Sequence, residues 1–201
     1  MNRLNSAGFA AIACVALSSL GAVSARAEIP SFERVRVLSA PRVIADAELT
    51  DQYGDAFRLA GLQGKVTFVL FGFTNCADVC PLTMERLGQL RDSGGLNSAD
   101  VAYVMISVDG ERDTPAVMKE FLARYPDEFV GLTAAPNRVT PVAEQFSAAF
   151  FKGAHVAHGT YDVAHSPQIF VLDAAGNLRA ELFGASIESM TAVALALLTE
   201  R

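Results

Sequence analysis

Residues 65–81 read KVTFVLFGFTNCADVCP, and this stretch decides the fold. Its first half, residues 65–72, is a nearly continuous apolar run with β-branched members, the pattern of a central strand covered on both faces. Pro81 then opens a helix that runs to about Asp92 and is ended by Gly94-Gly95. The chain therefore passes from buried strand to helix within one short loop, and Cys76 and Cys80 both fall in that loop. With Pro81 at the first helical position, Cys80 is expected as the N-cap. A helix N-terminus favours anions, so a thiolate is stabilised there.

Working outward, residues 101–108 (VAYVMISV) read as a second buried strand. The helix between the two strands makes them a parallel pair. Upstream, residues 47–50 and 57–59 flank Asp51-Gln52-Tyr53-Gly54-Asp55 as a short hairpin with its glycine in the turn. Residues 28–44 are left as an N-terminal extension. Downstream, Thr114 caps and Pro115 opens a helix to about Tyr125. A short strand over residues 129–132 and a helix over 139–149 follow. Residues 168–173 and 178–183 form a hairpin about Ala174-Ala175-Gly176-Asn177, and Ser186 caps a last helix to about Leu198. No internal repeat or interdomain linker is visible. Strand–helix–strand, then a later hairpin and helix, is the order of a thioredoxin-like fold. The expectation is an α/β domain over residues 45–201, with a central mixed sheet flanked by helices and an N-terminal hairpin extension.

Composition bounds the function classes. Of 201 residues, 51% are apolar and 19% charged, which excludes a disordered polyelectrolyte. Sixteen basic residues against 22 acidic give a net charge of −6, so no nucleic-acid partner is expected. Residues 1–27 carry Arg3, then an uncharged run over 7–25, then Ala25-Arg26-Ala27, a small-x-small cleavage pattern. They read as a cleaved secretory signal peptide, with the periplasm as destination; an uncleaved membrane anchor over 7–25 is the alternative. Cleavage removes Cys14 and leaves Cys76 and Cys80 as an isolated pair in an oxidising compartment, either a redox couple or a metal site.

Two points concentrate the chemistry. In the loop, two thiolates on one short turn can chelate a soft ion. A merely structural disulfide would close a tiny loop and stabilise little. Thiol–disulfide oxidoreductases usually have two residues between their cysteines, and this loop has three, a spacing that leans away from redox exchange but leaves it open. The second point is the histidines. His155, His158 and His165 fall within eleven positions of one another. His165 stands just before the strand beginning Pro167-Gln168-Ile169, where a thioredoxin-like layout puts the turn beside the cysteine loop. A neutral imidazole there completes a two-thiolate, one-imidazole set suited to three-coordinate Cu(I), whereas structural zinc wants a fourth protein ligand. His155 and His158 read as solvated loop histidines, with auxiliary copper ligation as the alternative. Asp109, Glu111, Arg112 and Asp113 read as a loop ion-pair network with helix capping, or as a docking edge near the copper loop. Met84, Met105, Met118 and Met190 read as core. A peroxide-reducing site is not expected, because the run before Cys76 lacks a Pro-x3-Thr-x2-Cys setting.

Residues 71–84, the segment Ser107-Val108-Asp109-Gly110-Glu111-Arg112-Asp113-Thr114-Pro115 and the segment Tyr161-Asp162-Val163-Ala164-His165-Ser166 together resemble the SCO/SenC copper proteins. The resemblance runs from about Ala45 to Leu198. It implies a thioredoxin-fold metallochaperone, a carrier rather than an enzyme, that delivers copper to the dinuclear copper site of cytochrome c oxidase during assembly. It implies that Cys76, Cys80 and His165 bind copper, as Cu(I) and also as Cu(II), and that Asp78 tunes or supplements the site. The implied partners are the oxidase's copper-binding subunit and another periplasmic copper chaperone. The alternative role is a thiol–disulfide reductase, with Cys76 and Cys80 cycling through a disulfide to keep the recipient's copper-ligand cysteines reduced. The chain departs from the family pattern at Ala77, where Pro is common, and at Ala164, where Asp is common directly before the histidine. Asp162, two residues before Ala164, is then the nearest candidate to support the histidine.

Overall fold

The two apolar runs fold as expected, because each must bury both faces. Strands β4 (Val66–Gly72) and β5 (Val101–Ser107) are buried at every position and pair in parallel, Val66 opposite Val101 through Gly72 opposite Ser107. Their side chains alternate between two cores. Val66, Phe68 and Leu70 with Val101, Tyr103 and Met105 meet the helices α1 (Val79–Asp92), α2 (Pro115–Leu122) and α4 (Ile187–Leu198). Val69 and Phe71 with Ala102, Val104 and Ile106 meet α3 (Pro136–Phe146) on the other face. Every second residue of a strand feeds one face, so one sheet carries two cores.

The protein is described here from a computed structural model, over residues 29, 31–93, 95–126, 128–155 and 161–200. The signal peptide expected over residues 1–27, Cys14 and His158 lie outside the described residues. Among the described residues the remaining strands are β1 (Val35–Val43), β2 (Glu48–Asp51), β3 (Ala56–Arg58), β6 (Phe129–Thr133), β7 (Phe150–His155), β8 (Tyr161–His165), β9 (Ile169–Leu172) and β10 (Asn177–Leu182). Eight of them form one mixed sheet in the order β1-β10-β9-β4-β5-β6-β2-β3, and β7 and β8 pair as a separate hairpin. This is a thioredoxin-like α/β fold, its sheet flanked by four helices. The β2–β3 hairpin turns at Gly54, whose φ of +92° requires glycine, and extends the sheet beyond β6.

The structure corrects four expectations. Helix α1 starts at Val79 with Asp78 as its N-cap, so Cys80 lies inside the first turn rather than capping it. Pro81 is third in the helix, a position whose N–H has no helical partner in any case, so proline fits there as readily as at the first position. Helix α3 runs from Pro136 to Phe146 and stops at Ser147, which adopts a left-handed φ of 59°. Part of the expected N-terminal extension forms β1, antiparallel to β10 at the sheet edge. His155, read as part of a loop, closes β7 opposite Tyr161, and the β7–β8 hairpin packs Phe150, Tyr161 and Val163 on the α3 face.

Candidate metal centre

The site is assembled from the end of β4, the first turn of α1 and the last residue of β8. Cys80 Sγ is 3.4 Å and Cys76 Sγ 3.9 Å from His165 Nε2. All three donor atoms lie within 4.8 Å of one another, and no fourth His, Cys, Asp or Glu donor among the described residues joins them. His165 Nδ1 stands 3.1 Å from the Ser166 carbonyl oxygen. A carbonyl only accepts, so Nδ1 carries a proton in that bond, which leaves Nε2 facing the two sulfurs. The Phe73 ring meets the imidazole edge to face at 5.7 Å and fixes its plane.

The two thiols are not equivalent. Burial raises the Cys76 thiol, but hydrogen bonds from the backbone N–H groups of Cys80 and Asp78 and from the His165 side chain outweigh it and bring it from 9.0 to about 7. The N-terminus of α1 thus stabilises the Cys76 thiolate, not that of Cys80 as the sequence suggested. Cys80 is fully buried. Burial pushes its thiol well up, and the neighbouring Cys76 and Asp113 charges add to the rise. Cys76 is expected to react with iodoacetamide well before Cys80, at a rate half-maximal near pH 7 and rising with pH as thiolate forms. Mass spectrometry of the singly labelled protein checks this; label on Cys80 first would contradict it.

Supporting side chains fix the loop from behind. Asp113, fully buried, accepts from Thr74 N (3.0 Å), Thr74 Oγ1 (2.6 Å) and Ser107 Oγ (2.6 Å), so it ties the loop to the end of β5. Arg112 pairs with buried Asp109, donates to the Tyr161 carbonyl at 3.0 Å and stacks on the Tyr161 ring at 3.8 Å. The same guanidinium lies 5.8 Å from the Phe73 ring. Tyr161 donates its hydroxyl to Asp109. This cluster fastens β8, and with it His165, to the turn after β5. Lys152 of β7 pairs with Glu111 at 2.6 Å. The ion-pair reading thus holds for Asp109, Glu111 and Arg112; Asp113 instead accepts neutral hydrogen bonds from Thr74 and Ser107, and Thr114 caps α2.

Other expected participants stay apart from the donor set. Asp78 is exposed and reaches Cys76 through its backbone N–H. Asp162 is exposed on β8, flanked by the core-facing Tyr161 and Val163. Met84, Met105, Met118 and Met190 are core residues. One contributor had no signal in the motif: a Cβ on Gly72 would stand 2.7 Å from Cys80 Sγ, so only glycine lets that sulfur lie against the strand end.

Fold and site together define a thioredoxin-like domain whose strand-to-helix loop presents two thiols to an imidazole. The family model described as SCO1/SenC matches residues 36–196, and the chain belongs to that family. An SCO2-like protein of Rickettsia conorii is 30% identical over 140 residues, 67% of this chain. The match spans 66% of that relative's length. The copper-bound structure of ScoI from Bradyrhizobium japonicum is similar with 31% identity and a TM-score of 0.68, over 79% of this chain and 99% of that one. Copper-bound yeast Sco1 is similar with 28% identity and a TM-score of 0.68, over 75% of this chain and 85% of that one.

Proposed function

We propose that this chain is a copper-binding protein of cytochrome c oxidase assembly. It is exported to the periplasm by the signal peptide of residues 1–27, carries one Cu(I) on Cys76, Cys80 and His165, and passes it to the oxidase's copper-binding subunit. The reading rests on one observation above all, the convergence of two sulfurs and one imidazole nitrogen without a fourth such donor among the described residues. Soft thiolates select Cu(I), and three donors satisfy it, whereas structural zinc takes four. The copper-bound structures of similar proteins support the same cargo. Among the described residues no helix is long and apolar enough to cross a membrane. X-ray absorption on the Cu(I)-loaded protein is expected to give two sulfur and one nitrogen scatterers; an all-sulfur shell in a monomer would overturn the assignment.

A second reading, a dithiol reductase acting on the recipient's cysteines, has its own support in the unequal thiols. An accessible thiol near pKa 7 attacks disulfides well at neutral pH, and a buried neighbour can resolve the mixed disulfide. The two readings part at His165, which copper needs and disulfide exchange does not.

A further inference from the structure

We propose that a groove beside the metal loop, ended by two arginines without a carboxylate partner among the described residues, docks an apolar side chain with one adjacent carboxylate on the protein that exchanges copper with this chain. The inference rests on the copper-exchange reading above. The groove encloses about 350 Å³ between α1, the Pro167 turn and the turn from β10 into α4. Its rim carries Leu82 and Phe183, large apolar side chains 55% and 43% exposed. One end is formed by Asp78 and Val79, which lie between the two cysteines in sequence. A partner seated in the groove therefore also covers the loop that presents the sulfurs.

The other end is positive. A Cβ on Gly184 would stand 3.5 Å from Nη1 of Arg34 and 3.5 Å from Nη1 of Arg86, so the two guanidinium groups converge over the space a side chain would fill. Neither has a carboxylate partner among the described residues. Arg34 is held there at a cost. Its φ of 65° is left-handed, which a non-glycine residue seldom adopts, and its carbonyl is fixed by the Phe183 N–H at 2.8 Å. Two like charges brought together without a counter-ion repel; a carboxylate between them relieves that repulsion with charge-assisted hydrogen bonds. The positive spot is local, in a chain whose net charge is −6, so it steers an acidic segment to this end. Asp78 repels a carboxylate at the far end. The ligand is thus oriented, its apolar side chain over the groove and its carboxylate toward Arg34 and Arg86.

The test uses the isotope-labelled, copper-loaded protein and two capped dipeptides, Phe-Glu and Phe-Lys, read by amide chemical shifts. The acidic peptide is expected to move the amides of Val79, Leu82, Phe183 and Gly184 and to bind about tenfold more tightly than the basic one. The double variant Arg34→Glu/Arg86→Glu is expected to reverse that preference while still taking up one Cu(I) per chain. Equal binding of both peptides would overturn the proposal, as would millimolar acidic peptide leaving the groove amides unmoved. So would groove shifts that grow with protein concentration in the absence of peptide, which would assign the groove to a second copy. Groove amides that respond only after residues 1–28 are removed would assign it to the chain's own N-terminal segment. Failure to take up Cu(I) would sink the copper reading separately, since peptide preference is read from different signals.

Discussion

His165→Ala is expected to cut Cu(I) affinity by more than the roughly 10–100-fold that outer hydrogen-bond partners of a metal ligand command, because it removes a donor itself. The sulfurs of Cys76 and Cys80 remain, and Cu(I) tolerates two thiolates. Cu(II), the harder ion, depends more on the imidazole and should be lost first. Disulfide exchange should survive with an altered pH profile. Burial raises the Cys76 thiol, and the His165 hydrogen bond is among the contacts that bring it down to about 7. Without that contact the thiolate is less stabilised, so the midpoint for exchange moves above pH 7. Exchange then slows at neutral pH and matches wild type in alkali. Competition against a Cu(I) chelator and exchange with a small disulfide across pH measure the two effects on one sample. In cells lacking the wild-type protein, the variant should fail to restore oxidase copper assembly. Wild-type assembly with His165→Ala would refute the copper-carrier reading and leave Cys76 and Cys80 as a reductase site.

The parts of this molecule legible in its sequence are those where a local pattern meets a large burial term. β4 and β5 bury every residue, so their apolar runs leave little choice. Thr114 and Ser186 cap α2 and α4 as read, each accepting from the backbone N–H three residues on. The donor trio was legible because soft-metal chemistry restricts the residue types and strand order brings the Pro167 turn back beside the cysteine loop. β1 was not, since its exposed and half-exposed positions follow no strict alternation, and it is held by pairing with β10, a partner about 140 residues away. The β7–β8 hairpin was missed for the same reason: its anchorage is the Arg112–Tyr161 stack, which joins residues 49 apart in sequence. The start of α1 was misplaced because proline is tolerated anywhere in a first turn. That shift of two residues moved the N-cap from Cys80 to Asp78, turned the Cys80 and Asp78 N–H groups to the Cys76 sulfur, and so exchanged which thiol is the reactive one.

Gly72→Ala should damage the site without touching a donor. Gly72 ends β4 opposite Ser107, and its carbonyl accepts from Val108 N at 2.8 Å, so the backbone there is pinned from the β5 side. The added methyl would lie 2.7 Å from Cys80 Sγ and 3.4 Å from Met105 Cε. Both neighbours are fully buried. Met105 is flexible and can yield a few tenths of an ångström. Cys80 has a single side-chain torsion, and rotating its sulfur off the strand end takes it away from His165 Nε2. Overpacking of this kind costs about 1–3 kcal/mol. The gain from replacing a strand glycine, about 0.5–1 kcal/mol, only partly offsets it. In a domain of this size each kcal/mol lost lowers Tm by about 2–4 °C. Cu(I) affinity should fall as well, because the donor atoms no longer converge. Gly61→Ala is the matched control. Its added carbon would find its nearest neighbour, Phe57 Cζ, at 3.9 Å, an ordinary contact, so Tm and copper uptake should stay near wild type. Thermal unfolding and Cu(I) competition on the two variants side by side decide the matter. Wild-type copper affinity in Gly72→Ala would mean that the strand end does not hold the Cys80 sulfur in place.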